Sequence, residues 1–321
     1  FTVSSADGTA TAVTVTITGS NDAAVLSSAS VTLTETDAPL TTNGTLSISD
    51  VDSAATFIAQ SNTAGSYGQF SLGTDGAWSY VANNAHNEFA AGTTYTDTFT
   101  VSSADGTLTS VTVHINGTND AAVLSSASVT LTETDAPLTT AGTLTISDVD
   151  SAATFVAQTN TAGSYGQFSL GTDGAWTYVA DSAHNEFVAG TTYTDTFTVL
   201  SADGTATAVT VTITGSNDAA VLSSASVTLT ETDAPLTTNG TLSISDVDSA
   251  ATFVAQSNTA GSYGQFSLGT DGAWSYVADS AHNEFAAGTT YTDTFAVSSA
   301  DGTLTSVTVH INGTNDAAVL S

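Results

Sequence analysis

The sequence predicts an all-β chain: seven-stranded antiparallel β-sandwich domains in tandem, joined end to end. The text repeats every 98 residues, Thr and Val dominate it, and apolar and polar residues alternate with period two between glycine turns. Phe1, Phe99, Phe197 and Phe295 open four nearly identical stretches, beginning FTVSSADGTATAVTVTITGSND. Such a period exceeds the usual ~20–50 residues of a stacked solenoid unit and suits a domain with its own core. The expected divisions are a partial repeat at 1–22 (strands F and G), full repeats at 23–120, 121–218 and 219–316, and the start of another at 317–321. Thr16, His114, Thr212 and His310 alternate at one position, so a 196-residue double unit was copied whole. Copying lengthens a spacer and adds little to an enzyme. The text opens partway through a repeat, so the expectation is a piece of a longer chain with any targeting segment elsewhere.

Within residues 23–120 the expected strands are A 25–34, B 45–49, C 56–60, D 67–72, E 77–82, F 94–102 and G 107–116. Strand G alternates cleanly, with Val111, Val113 and Ile115 on one face and Thr112, His114 and Asn116 on the other. Leu46 and Ile48 in B, and Phe70 and Leu72 in D, do the same. Gly73-Thr74-Asp75-Gly76 and Ser103-Ala104-Asp105-Gly106 read as hairpin turns. The segment 83–92 has room for one helical turn, and Tyr95, three residues after Gly92, suggests a tyrosine corner. Trp78 and Phe99 read as core. Asp97 shares the parity of inward residues. Because a lone buried carboxylate is costly, strand F is bulged there, or Asp97 serves a hydrogen-bond network or a metal; the network is favoured.

The chain has no Lys or Arg against 31 Asp and Glu, for a net charge of −31. Only its five His offer a cationic partner. This charge argues against nucleic acid and anionic membrane as partners. No stretch approaches the ~20 apolar residues of a membrane span, so no membrane insertion is expected in this segment. Cys and Met are absent, and without Lys no Lys–Asn isopeptide bond can form. A divalent cation is the physical remedy for acids without bases, and hard oxygen ligands suit Ca²⁺. A solvated acidic surface is the alternative.

Consecutive antiparallel strands place the AB, CD and EF turns at one pole and the BC, DE and FG turns at the other. Of nine acids in residues 23–120, only Asp97 falls within a strand. Glu35 and Glu88 thus approach Asp148, Asp150 and Asp203 of the following repeat, across Asn119 and Asp120. The next junction gathers Glu133, Glu186, Asn217, Asp218, Asp246, Asp248 and Asp301. Asn21, Asp22, Asp50, Asp52 and Asp105 form the corresponding set before the first full repeat, and Glu231, Glu284, Asn315 and Asp316 that after the last. The Asp50-x-Asp52 spacing suits a shared Ca²⁺ without being an EF-hand, since Ala55 and Ser61 stand at its sixth and twelfth positions. Asp75 and Asp173 are sufficiently explained as turn formers. His86, His184 and His282 are expected in neutral surface or hydrogen-bonding roles, and His114 and His310 face outward. Asn-Gly-Thr at 43–45 and 116–118 matches the glycosylation pattern but is more simply a turn.

The junction resembles the cadherin arrangement in Thr34-Glu35-Thr36, Asp50-Val51-Asp52, Ala104-Asp105-Gly106 and Asn119-Asp120-Ala121-Ala122-Val123. Asn87-Glu88 supplies only part of the cadherin acidic–Arg–acidic triplet, and Gly117 replaces the linker's first aspartate. More closely, the repeat resembles the bacterial VCBS family in GTLSISDVDSA, AGSYGQFSLGTDGAWSY, AGTTYTDTFTVSSADGT and VTVHINGTNDAAV. That resemblance implies an Ig-like or cadherin-like fold, Ca²⁺, and the surface of a bacterial cell, in large secreted RTX-type adhesins and biofilm proteins. The glycine-rich RTX nonapeptide is absent. The expected function is a structural extender, stiffened by Ca²⁺ at its linkers, that projects a binding domain. Its partners are neighbouring repeats and, in a fibre or biofilm matrix, other copies. The competing readings are an adhesive module acting by avidity and a filament subunit assembling by strand exchange. No catalytic set is evident.

Overall fold

The computed structural model describes residues 1–316, and the expected start of a further repeat at 317–321 lies outside the described residues. It consists of strands and turns without a helix among the described residues, so no helix there is long and apolar enough to cross a membrane. Its two compact units are Phe1–Val123 with Ile146–Ala153 and Ser201–Thr205, and the remainder of the chain.

A short hairpin comes first, β1 (Thr2–Ser4) with β2 (Ala10–Ala12). Phe1 and Ile17 are exposed there, whereas their counterparts Phe99 and Ile115 are buried. The first full repeat runs β3 (Val25–Leu26), β4 (Ala29–Thr34), β5 (Thr41–Thr45), β6 (Ile48–Ser49), β7 (Gln60–Ala64), β8 (Gly68–Leu72), β9 (Ala77–Ala82), β10 (Thr94–Ser102) and β11 (Leu108–Asn116). One sheet has the order β4–β11–β10 and the other β5–β9–β8–β7, with β3 and β6 forming a small pair. The same two orders recur in the third repeat, at 225–230, 304–312 and 290–298 and at 237–241, 273–278, 264–268 and 256–260. Corresponding strands of the second repeat lie at 127–132, 206–214 and 192–200 and at 139–143, 175–180, 166–170 and 158–162.

Expected strands E and F are found at their predicted limits, and G begins one residue later. A and B are each split. Strand C is displaced: Phe57 touches the first sheet through a single bridge to Ser103, and the chain then crosses to pair with β8 from Gln60. A register shift between Gln60 and Thr63 accommodates the crossing, with Asn62 at φ 49°. Asparagine enters that left-handed region more readily than bulkier residues. The segment 83–92 forms turns rather than the expected helical turn. His86 at φ 61° interrupts it, and Phe89 N–H donates to the His86 carbonyl at 2.9 Å.

One pairing in the repeat is parallel: β4 lies along β11 with Val31 opposite Val113 and Leu33 opposite Ile115. Both strands therefore end at the same pole. Between the sheets Phe70 stacks on Phe99 at 4.7 Å, flanked by Leu46, Phe57, Leu72 and Trp78. Burying each such side chain contributes roughly 1.5–3 kcal/mol. Gly44 admits the indole, since a Cβ there would meet Trp78 Cζ2 at 2.7 Å. The tyrosine corner forms: the Ala90 N–H donates to Tyr95 Oη at 3.2 Å, and Tyr95 stacks on Phe89.

Asp97 is 4 % exposed and belongs to a hydrogen-bond network. It accepts from Ser66 N–H at 2.6 Å, Tyr67 N–H at 3.0 Å and the Tyr80 hydroxyl at 2.9 Å. The β10–β11 register is unbroken past it, so no bulge is needed. Burial and then this bond push the Tyr80 phenol above its usual range. Asp195 and Asp293 repeat the network. In either orientation asparagine would turn its NH₂ toward a backbone N–H, of Ser66 or Tyr67, that cannot accept. Replacing all three aspartates by Asn is expected to cost about 1–3 kcal/mol per repeat and lower the thermal midpoint. An unchanged midpoint would contradict this account.

Candidate functional site

Parallel pairing assembles the acidic pole. Because β4 and β11 end together, the Glu35 N–H donates to the Asn116 carbonyl at 2.8 Å. The linker then turns so that the Thr118 hydroxyl bonds Glu35 Oε2. Glu35 is 2 % exposed, and its Oε1 has no hydrogen-bond partner among the described residues. Asp120 Oδ2 and both carboxylate oxygens of Asp150 are likewise buried and unpartnered. Asn87 Nδ2 donates to Asp120 Oδ1 at 3.3 Å. All these residues belong to the first compact unit.

The other candidate ligands there are anchored by hydrogen bonds. Asp148 Oδ1 accepts from the N–H groups of Asp150 and Ser151 at 3.1 and 2.8 Å. Asp203 Oδ2 accepts from Ala122 N–H at 3.1 Å and from Asn119 Nδ2 at 3.2 Å, tying the FG turn to the linker. Bonds from Ser201, then Thr205, hold the Asp203 carboxyl far below its ordinary value. Asp120 is pushed the other way, first by burial and then by the carboxylates of Glu35, Asp37 and Asp150. Asp150 rises through burial and its neighbour Asp148.

The second compact unit contains the same arrangement, with Asn185, Asn217, Asp246 and Asp301 alongside the central acids. One ligand oxygen each from Glu133, Asp135 and Asp218 lies within 4.8 Å of the others. Glu133 Oε1, Asp218 Oδ2, Asn185 Oδ1 and both Asp248 oxygens are buried without partners among the described residues. Burial, then Glu133 and Asp135, push the Asp218 carboxyl up to about 6. Glu231, Asp233 and Asp316 form another such group, where Thr314 N–H donates to Glu231 Oε2 at 3.1 Å; Asn315 Nδ2 donates to the Asp316 carbonyl at 3.3 Å. At the opposite pole of the first repeat, Asp22 N–H donates to Asp52 Oδ2 at 3.1 Å and Asn21 Nδ2 to Asp105 Oδ2 at 3.3 Å. Asp50 Oδ2 there is buried and unpartnered. Asp75, Asp173 and Asp271 each accept from the N–H two residues on, as turn formers do.

The EF-segment glutamates are turned elsewhere. Glu88, Glu186 and Glu284 each meet their histidine's Nδ1 at 2.9 Å and are largely exposed. The histidines are held from the other side, with Nε2 of His86 donating to the Tyr67 carbonyl at 2.7 Å. His86 and His184 are buried rather than on the surface, and His86 stacks on Phe89 at 4.4 Å. Burial presses the His184 imidazole down, but its bonds to Glu186 and the Tyr165 carbonyl outweigh this and leave it raised. Sequence reasoning placed the AB turn, and Asp37 with it, at this pole but did not count Asp37, Asp135, Asp233 or the amides Asn87 and Asn185 among the candidate ligands. The signal was present in the Glu-Thr-Asp triplets, whose acid-x-acid spacing equals that of Asp50-x-Asp52.

Like charges about 5 Å apart repel by roughly 3 kcal/mol at an effective dielectric near ~20. Without Lys or Arg the chain cannot offset this repulsion itself. Carboxylate and amide oxygens are the donor set that a hard divalent cation takes, so the residues fit Ca²⁺.

The family model of the bacterial cadherin-like domain matches residues 21–118, 119–215 and 217–315. No curated protein matches. Similar solved structures include protocadherin gammaB7 EC3-6, described as a cis-dimer, at 16 % identity and TM-score 0.47, covering 91 % of this chain and 74 % of that one. Protocadherin gamma B2 domains 3–6 give 15 % identity and TM-score 0.43 over 91 % and 73 % of the two chains. Mouse cadherin-23 EC22-24 gives 13 % and 0.43 over 92 % and 100 %.

Gly117 has a steric role beside the linker: a Cβ there would lie 2.3 Å from the Phe89 carbonyl oxygen and 2.4 Å from that of Ala90. No linker aspartate fits at this position. Gly117→Ala is expected to displace the EF segment at a cost of about 1–3 kcal/mol, read as a lower thermal midpoint in chelator. Wild-type stability would show that the loop yields freely.

Proposed function

Because the chain belongs to the bacterial cadherin-like domain family, we propose that it is an extender segment of a large bacterial surface adhesin, of VCBS type, stiffened by Ca²⁺ where its repeats meet. The reading rests on buried carboxylate oxygens without partners, contributed by one repeat, the linker and the next repeat, in a chain with no basic side chain except histidine. Glu35, Asp120 and Asp150 would hold a shared ion at the first such place, and Glu133, Asp218 and Asp248 at the second. The ion would supply the positive charge that the chain lacks, binding successive repeats at a defined angle. An uninterrupted series of such junctions projects a distal domain from the cell surface. Extracellular placement follows from this role, where calcium is abundant.

Calcium is expected to stabilise the folded chain by about 2.7 kcal/mol per site at a concentration 100 times the dissociation constant, read as a higher thermal midpoint. Magnesium should do less, since it prefers small octahedral sites and keeps its waters. Equal effects of the two ions would indicate charge screening instead. Small-angle scattering should give a larger maximum dimension in Ca²⁺ than in chelator, and identical profiles would overturn the extender reading. Asp150→Ala should weaken calcium binding at its own junction and spare that of Glu133, Asp218 and Asp248. Asp173→Ala should do less than Asp150→Ala.

A further inference from the structure

We infer that Asp135 and Asp233, the second acids of their Glu-Thr-Asp triplets, ligate the junction cation, and that the EF-segment glutamates Glu88, Glu186 and Glu284 do not. This rests on the calcium reading above and assigns its ligands differently from the expectation drawn from sequence. Two observations carry it.

The first is proximity to a buried, unpartnered oxygen. Oxygens sharing one Ca²⁺ at roughly 2.3–2.6 Å lie no more than about 5 Å apart. Glu133, Asp135 and Asp218 meet that limit, with one oxygen from each within 4.8 Å of the others, and Glu231, Asp233 and Asp316 meet it again. Glu133 is 2 % exposed and keeps Oε1 without a partner among the described residues, so a deeply buried ligand atom sits beside the more exposed Asp135. The AB loop thus supplies a floor ligand and a rim ligand from a single turn. Its shape is set locally by the Thr134 hydroxyl, which donates to the Ala136 carbonyl at 3.1 Å.

The second is the diversion of the EF-segment acid. Glu186 Oε1 lies 2.9 Å from His184 Nδ1, with the side chain 63 % exposed. His184 Nε2 donates to the Tyr165 carbonyl at 2.8 Å, and its ring stacks on Phe187, so the imidazole cannot swing away. The histidine fixes Glu186 outward, leaving the EF segment's contribution at the pole to Asn185, whose Nδ2 donates to Asp218 Oδ1 at 3.4 Å. One carboxylate from the AB loop takes the place of one from the EF segment.

The test is titration of the chelator-stripped full chain with Ca²⁺, by calorimetry and equilibrium dialysis, for wild type, Asp135→Asn and Glu186→Gln. Asp135→Asn is expected to lose one site or weaken it at least tenfold, with an unchanged circular dichroism spectrum, and Asp135→Glu should recover most of the loss. Glu186→Gln should match wild type in stoichiometry and stay within about twofold in affinity. Wild-type binding by Asp135→Asn, or equal losses from both substitutions, would overturn this ligand assignment while leaving the calcium reading intact. A wild-type chain that binds no Ca²⁺ would overturn both.

Discussion

The parallel pairing of β4 with β11 is the constraint on which the acidic pole depends. In a sandwich whose other described strand pairs are antiparallel, this edge contact makes the first and last strands of the repeat finish side by side. The AB loop and the linker are eighty residues apart in sequence, yet they emerge with Glu35 N–H bonded to the Asn116 carbonyl. Carboxylates that would otherwise be dispersed by repulsion are fixed together by main-chain geometry. The apolar rows Val31–Leu33 and Val111–Ile115 hold that geometry from beneath.

Such an arrangement concentrates like charge, and burial with the neighbouring carboxylates raises Asp120 and Asp218. The chain divides its acids into two kinds. Asp97, Asp105 and Asp203 are satisfied internally by amides and hydroxyls and lock loops in place. Glu35, Asp120 and Asp150 retain buried oxygens that no described group satisfies. The first kind builds the frame and the second faces what the frame encloses. The same division recurs in the second unit, where Asp301 is anchored while Glu133, Asp218 and Asp248 keep free oxygens. The bonds that brace a repeat and the unsatisfied oxygens at its pole thus reside in different residues.

Histidine has a structural use that composition alone obscures. As the only basic residue type in the chain, His86 accepts a left-handed backbone, stacks on Phe89 and holds Glu88. It braces the segment that closes the pole, next to Asn87. Gly117 serves the same closure from the linker side, where two carbonyl oxygens leave no room for a side chain.

The repeat length, the limits of strands E and F, the inward parity of Asp97 and the assignment of acids to two poles were legible in the order of residues. Each of these follows from local rules: period-two alternation, glycine turns and chain direction from strand to strand. Which acids meet was not legible there. Glu35 and Asp37 have the same acid-x-acid spacing as Asp50 and Asp52, and nothing local distinguishes a carboxylate aimed into the pole from one bonded to a histidine. The crossing at Gln60 was likewise invisible, because Phe57 is buried in either sheet and the change depends on which edge is free to accept the strand. Strand identity is written in neighbouring residues, but which carboxylates gather depends on contacts between loops 83 residues apart, which arise only once the first and last strands pair.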